Sequence, residues 1–260
     1  MRLAVLFVLL QPALCAAQAP ASPPAGPELV TDRPGFGESS SVVGHGTIQI
    51  ETGFTLEQTD SARRQVSAPQ LLARVGVASR LELRVSADGF IEQSDRTPAG
   101  RTQTHGRSDA EVGAKVKLLD EARAGVDLAV LPYLSLPTAS NGLGSAHYDP
   151  GFKVAAARGL PRGFGLSGTL NAASASGDDR RAWGREISVS LDHGVGGGVA
   201  AYGEVDGAFA GADCGCSVDG GVTVPIGANG QFDVEFGRGV HGAAQKWFVG
   251  AGFVVRRLHR

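Results

Sequence analysis

Beyond an N-terminal apolar run from Leu3 to Leu10, the chain has no stretch of about 18 consecutive apolar residues, which excludes a second, helical membrane span. It also lacks a net field: 24 Lys and Arg against 26 Asp and Glu leave −2, too little to gather nucleic acid. The six histidines, at 45, 105, 147, 193, 241 and 259, are dispersed. None has the i, i+4 or short-loop spacing of a metal site, so they read as solvated loop and turn residues, and neither metal nor cofactor is expected. A complete Gly-x-Ser-x-Gly nucleophile elbow is missing; Gly165-Leu166-Ser167-Gly168 resembles part of one but sits in a strand pattern with no helix after it. The glycine run from Gly194 to Gly198 likewise precedes no helix and is not a dinucleotide fingerprint. An enzyme is therefore not expected. Cysteine is scarce, with Cys15 near the N-terminus and only Cys214 and Cys216 beyond it.

Glycine, by contrast, is abundant: 38 of 260 residues is about twice ordinary usage. No Gly-X-Y period accompanies it, so collagen is excluded and a glycine-rich β protein remains. The first residues have the layout of a secretory signal peptide, with Arg2, the apolar run and then Ala13, Ala16, Ala17 and Ala19. Residues 1–19 are expected to be removed after Ala17 or Ala19, and Cys15 with them. Residues 20–45 are expected to be a flexible leader and periplasmic lead-in, Pro- and Ala-rich at first. Within it Thr31-Asp32-Arg33-Pro34 is expected to fold below the barrel, with Asp32 pairing to Arg33 across its floor. The functional alternative has this segment entering the lumen as a small plug or gate.

From residue 46 onward the dominant signal has a period of two. In Ser108 to Leu118, Ala110, Val112, Ala114, Val116 and Leu118 fall on one parity and Asp109, Glu111, Gly113, Lys115 and Lys117 on the other. Wound as a helix, these charges would scatter around the axis; as a strand they give one oily and one charged side. The pattern recurs at 47–57, 70–77, 81–88, 109–118, 126–136, 152–157, 164–172, 186–191, 199–209, 218–224, 232–237 and 247–255, which makes twelve strands. Expected short turns at 78–80, 120–125, 160–163, 193–198 and 225–230 alternate with longer polar stretches at 58–66, 92–107, 137–148, 173–182, 210–217 and 238–246. That alternation points to a transmembrane antiparallel β-barrel of about twelve strands, short turns and both termini in the periplasm, rather than a Greek-key sandwich.

In such a barrel the charged parity lines the lumen: Glu51, Glu57, Arg74, Glu82, Arg84, Asp88, Asp109, Glu111, Lys115, Lys117, Asp127, Lys153, Glu204, Asp206, Asp233 and Glu235. Charges of both signs at this density either pair and fill the interior or line a narrow wet path. Cys214-Gly215-Cys216 falls on an expected external loop in an oxidising compartment, where a strained loop disulfide, a soft-metal pair and two idle thiols all remain open.

Several segments also carry a resemblance: Thr-Asp-Arg-Pro at 31–34, Gly-Ala-Lys-Val-Lys-Leu-Leu-Asp-Glu at 113–121, Leu-Pro-Tyr-Leu-Ser-Leu-Pro-Thr at 131–138, and Gly-Arg-Gly-Val-His-Gly-Ala-Ala with Trp-Phe-Val-Gly-Ala-Gly-Phe within 237–253. In this order they resemble the outer-membrane transporter family named for the phenol-degradation meta-cleavage pathway. The resemblance implies an outer-membrane barrel of a Gram-negative bacterium, surrounded by lipid and inserted by the barrel-assembly machinery. It also implies passive uptake of small molecules, possibly aromatic or hydrophobic, and assigns no catalytic residues. The runner-up is a non-conducting structural or adhesion barrel. The chain departs from the common pattern at its end, where Arg256 to Arg260 follow the aromatic Phe253.

Overall fold

The computed structural model describes residues 29–258 apart from 141, 177–180 and 212. The expected signal peptide and the first part of the leader lie outside the described residues. Among those described, no helix is long and apolar enough to cross a membrane. The strands are β1 (Thr47–Gln58), β2 (Arg63–Ala78), β3 (Leu81–Asp88), β4 (Ile91–Thr97), β5 (Gly100–Gly106), β6 (Ala110–Leu119) and β7 (Asp127–Leu136). They continue with β8 (Asp149–Leu160), β9 (Phe164–Ser176), β10 (Arg181–Gly196), β11 (Val199–Ala210), β12 (Asp213–Pro225), β13 (Gly230–Gly242) and β14 (Trp247–Leu258).

Twelve of these close into an antiparallel barrel, each sequential neighbour paired and β1 paired with β14 from Thr47↔Leu258 to Gln58↔Trp247. The remaining two, β4 and β5, form a hairpin that stands beyond the barrel wall and pairs only with the first residues of β2. Strand β4 continues the line of β3, interrupted at Gly89 and Phe90 opposite Pro69. Proline has no N–H to give to the ladder, which explains a break at that point.

Alternation decides which side faces inward. Val85, Val189 and Val205 are 52, 50 and 51% exposed, whereas Arg74, Glu82, Lys115 and Asp233 are fully buried. A soluble sandwich would show the reverse, and monomers in water do not expose a continuous girdle of valine, leucine and phenylalanine. Such a girdle around a polar interior is what hydrocarbon demands of a closed sheet.

The connections differ from the alternation read from the sequence. Strands run further than expected, to 16 residues in β2 and β10, so that much of 58–66, 173–182, 210–217 and 238–246 is paired ladder rather than polar loop. The stretch at 92–107 is the β4–β5 hairpin, leaving 137–148 as a long open loop. Polar composition misled here because a strand that rises past the membrane needs no oily side. The cysteines are corrected for the same reason: Cys214 and Cys216 lie inside β12, not on a loop, and both thiols are free.

Candidate functional site

The site begins with residues 29–46, which run inside the barrel instead of below it. The pairing of Asp32 with Arg33 expected from the sequence does not occur; each finds a partner on a different wall. Asp32 reaches β3 and β6, with Oδ2 2.5 Å from Arg84 Nη1 and Oδ1 2.9 Å from Lys115 Nζ. Glu38 follows, 2.6 Å from Lys153 Nζ on β8 and 3.0 Å from Arg84 Nη1. Arg33 turns the other way to β13, 3.3 Å from Asp233 Oδ1 and 3.7 Å from Glu235 Oε1, with Nη1 donating to Gln70. Its guanidinium lies against Gly53 and Gly252, where any Cβ would collide with it. Two inward glycines on β1 and β14 therefore make the slot that Arg33 occupies.

The backbone of this segment docks on the wall opposite Asp32. Gly35 N–H donates to Glu235 at 2.8 Å, Phe36 N–H to Glu204 at 2.8 Å and Glu38 N–H to Thr169 at 2.8 Å. The Phe36 ring meets the inward Phe248 edge-on at 5.3 Å. Lower down, Val43 N–H donates to Glu82 at 2.7 Å before the chain turns into β1.

Charge divides the lumen into two walls. On β1–β3, β6 and β8, Arg74 sits 3.0 Å from Glu51 and 2.9 Å from Glu82, and with Arg84, Lys115 and Lys153 it forms a network that Asp32 and Glu38 complete. Burial opposes ionisation of Asp32, but Arg74, Lys115 and Arg84 outweigh it and hold the carboxyl well below the usual carboxylate range. For Glu38, burial and the adjacent Asp32 are likewise outweighed by Lys153, Arg84 and Lys115, and its carboxyl is also lowered.

The other wall, β10–β13, presents Glu186, Glu204, Asp206, Asp219, Asp233 and Glu235. Among the described residues no Lys or Arg of β9–β13 faces them, because Arg181, Arg185 and Arg238 are exposed on the outside or rim. The Tyr202 hydroxyl donates to Glu235 at 3.4 Å. Buried oxygens of Glu204, Asp206 and Asp233 have no hydrogen-bond partner.

Most of the charged parity read from the sequence is gathered here. Glu51, Arg74, Glu82, Arg84, Lys115 and Lys153 join the mixed network, and Glu204, Asp206, Asp233 and Glu235 the acidic wall. Lys117 and Asp127 pair at 2.9 Å near the end of the barrel that holds the termini. Glu57, Asp88 and Glu111 are half-buried toward the far end. Asp109 does something else: it lies just before β6 and accepts the Thr138, Ala139 and Ser145 N–H groups, pinning the 137–148 loop. Glu186 and Asp219 were missed although their parity opposes Ile187, Val189 and Val218, so alternation alone could have found them. Asp32, Arg33 and Glu38 carried no such signal, since their segment has no period.

The geometry defines a closed twelve-stranded antiparallel barrel of the outer-membrane type with a segment of its own chain in the lumen. The chain belongs to the family described as "Putative MetA-pathway of phenol degradation", whose profile matches residues 31–257. Its structure is similar to an outer-membrane channel from Pseudomonas putida F1, with 17% identity, a TM-score of 0.63, and 86% of this chain and 99% of that one covered. It is also similar to the NanC porin (8% identity, TM-score 0.52, 80% and 98% covered) and the KdgM porin (12% identity, TM-score 0.52, 81% and 99% covered). No curated protein matches the chain in sequence.

Proposed function

We propose that the protein is a passive, non-enzymatic channel for small molecules in the outer membrane of a Gram-negative bacterium, its termini periplasmic and its lumen narrowed by residues 29–46. One observation carries this reading: Arg33 borders open space on both sides of the segment. Toward the far end lies a cavity of about 500 Å³ shared with Gln70, Asp88 and Glu111, and toward the termini one of about 430 Å³ shared with Tyr202, Glu204 and Gln231. A segment wet on both faces constricts a path rather than filling a core. Arg33, Asp233, Glu235 and Gln70 form the narrow point, where charge and width select what passes. The family's name and the aromatic edge of Phe36 and Phe248 beside that point support small aromatic or partly apolar solutes as cargo. The charged rows would then act as pore-lining groups, and β14, with Gly250 to Val255, as the signal offered to the assembly machinery.

Planar-bilayer recordings of the refolded chain test the proposal. Small steps are expected from the full chain, and larger, more cation-selective steps from Arg33→Ala, which leaves Asp233 and Glu235 unopposed. Silence from both proteins would overturn the channel in favour of a closed structural barrel.

A further inference from the structure

At the far end of the acidic wall a second cavity, about 360 Å³, lies between β9–β12 and residues 243–245. Its volume falls in the range of small-molecule sites. Small residues open it: Ala173, Gly184, Ala208 and Gly215 stand where larger side chains would close the space. Glu186 and Asp206 line it and are diagonal neighbours across the β10–β11 ladder, where Glu186 pairs with Ala208 and Ser188 with Asp206. Asp206 is only 5% exposed, and its Oδ2 is buried without a hydrogen-bond partner. Asn171 donates to Glu186 at 3.3 Å and is itself oriented by the Tyr133 hydroxyl at 3.0 Å.

Two carboxylates brought together in a partly apolar recess need a positive partner, and among the described residues no Lys or Arg makes an ion pair with either. Arg181 and Arg185 of β10 are exposed, Arg185 bordering the cavity without an ion pair to either carboxylate, and Arg33 is engaged at Asp233, Glu235 and Gln70. A hard metal ion is disfavoured, because it would ask for six or more oxygens, and among the described residues no group of three or more His, Cys, Asp or Glu is placed to hold one. An ammonium group needs fewer acceptors, and a compact apolar body suits walls of alanine and glycine. We infer that this cavity binds a small organic cation, an amine carried on a compact apolar body, with its charge on Asp206 and Glu186. The inference goes beyond conduction, since binding here requires the barrel but not an open constriction.

Isothermal titration of the refolded full chain in detergent, with benzylamine as probe, tests it. Saturable binding is expected, with benzyl alcohol and benzoate at least about tenfold weaker, because a hydrogen bond to a charged partner is worth roughly that factor or more. Asp206→Asn should weaken benzylamine at least about tenfold, and Ala173→Phe should abolish binding by filling the space while leaving both carboxylates. Equal uptake of amine and alcohol, binding of calcium instead of amine, indifference to both substitutions, or no saturable binding would each overturn the site. Because the readout is heat and not current, loss of amine binding with conductance intact removes only this inference, and the converse removes only the channel.

Discussion

The two walls of the lumen are built from the same alternating strands, yet they hold their charges in opposite ways. On β1–β3, β6 and β8 every buried cation lies within reach of a carboxylate; Arg74 alone touches Glu51 and Glu82, with Asp32 3.3 Å away. On β10–β13 the carboxylates stand together and take their hydrogen bonds from Asn171, the Tyr202 hydroxyl and residues 29–46, whose Arg33 guanidinium and Gly35 and Phe36 backbone N–H groups donate to them. A wall that neutralises itself becomes structure, whereas a wall of one sign stays available to a mobile segment, an ion or a solute. Residues 29–46 read that difference, sending Asp32 and Glu38 to the basic side and Arg33 to the acidic side.

The contrast breaks most sharply at Arg74. Replacing it with alanine leaves Glu51 buried without its cation, while Glu82 keeps only the longer contacts to Arg84 and Lys115, and should cost about 3–5 kcal/mol, the penalty of an uncompensated buried charge. Asp219→Asn on the other wall removes one of several like charges and should leave stability unchanged or slightly raised. Urea unfolding of the refolded proteins reads both, and equal losses would mean that the walls are not different in kind. A smaller effect belongs to the outer face: Val189→Arg, near the middle of the oily band, should cost about 2–4 kcal/mol in lipid vesicles. Tolerance of arginine at this position would contradict the lipid-facing assignment.

The barrel was legible in the sequence because a strand with hydrocarbon on one side and water on the other must alternate, and each of the twelve expected strands coincides with an observed one. Where that constraint relaxes, legibility fails. The β4–β5 hairpin stands clear of the wall, so Gln93, Asp95, Arg101 and Gln103 carry no oily parity and read as loop. Thr31-Asp32-Arg33-Pro34 was legible as a compact charged motif and, as the alternative to a floor below the barrel, as a lumen plug; its partners were not, because they lie up to 200 residues away, as Asp233 does, and no local pattern encodes such a contact. The lack of inward bases on one wall was visible residue by residue, since β11–β13 carry acids on the inward parity and no lysine at all. It became meaningful only once strand order placed those strands side by side.

The smallest expected effect is that of pH, and it sharpens the comparison by asking which wall anchors the segment. Asp32 and Glu38 both have lowered carboxyl pKa values when docked, Asp32 well below its free value of about 4. For a group depressed in this way the stabilisation is fully present above the free value and is lost as pH falls through the docked one. Conductance should therefore stay flat from about pH 8 to about pH 5 and rise only below about pH 4, as protonation releases Asp32 from Arg84 and Lys115. A rise already between about pH 7 and pH 5 would contradict anchoring through these two residues, because their docked carboxyls remain ionised there.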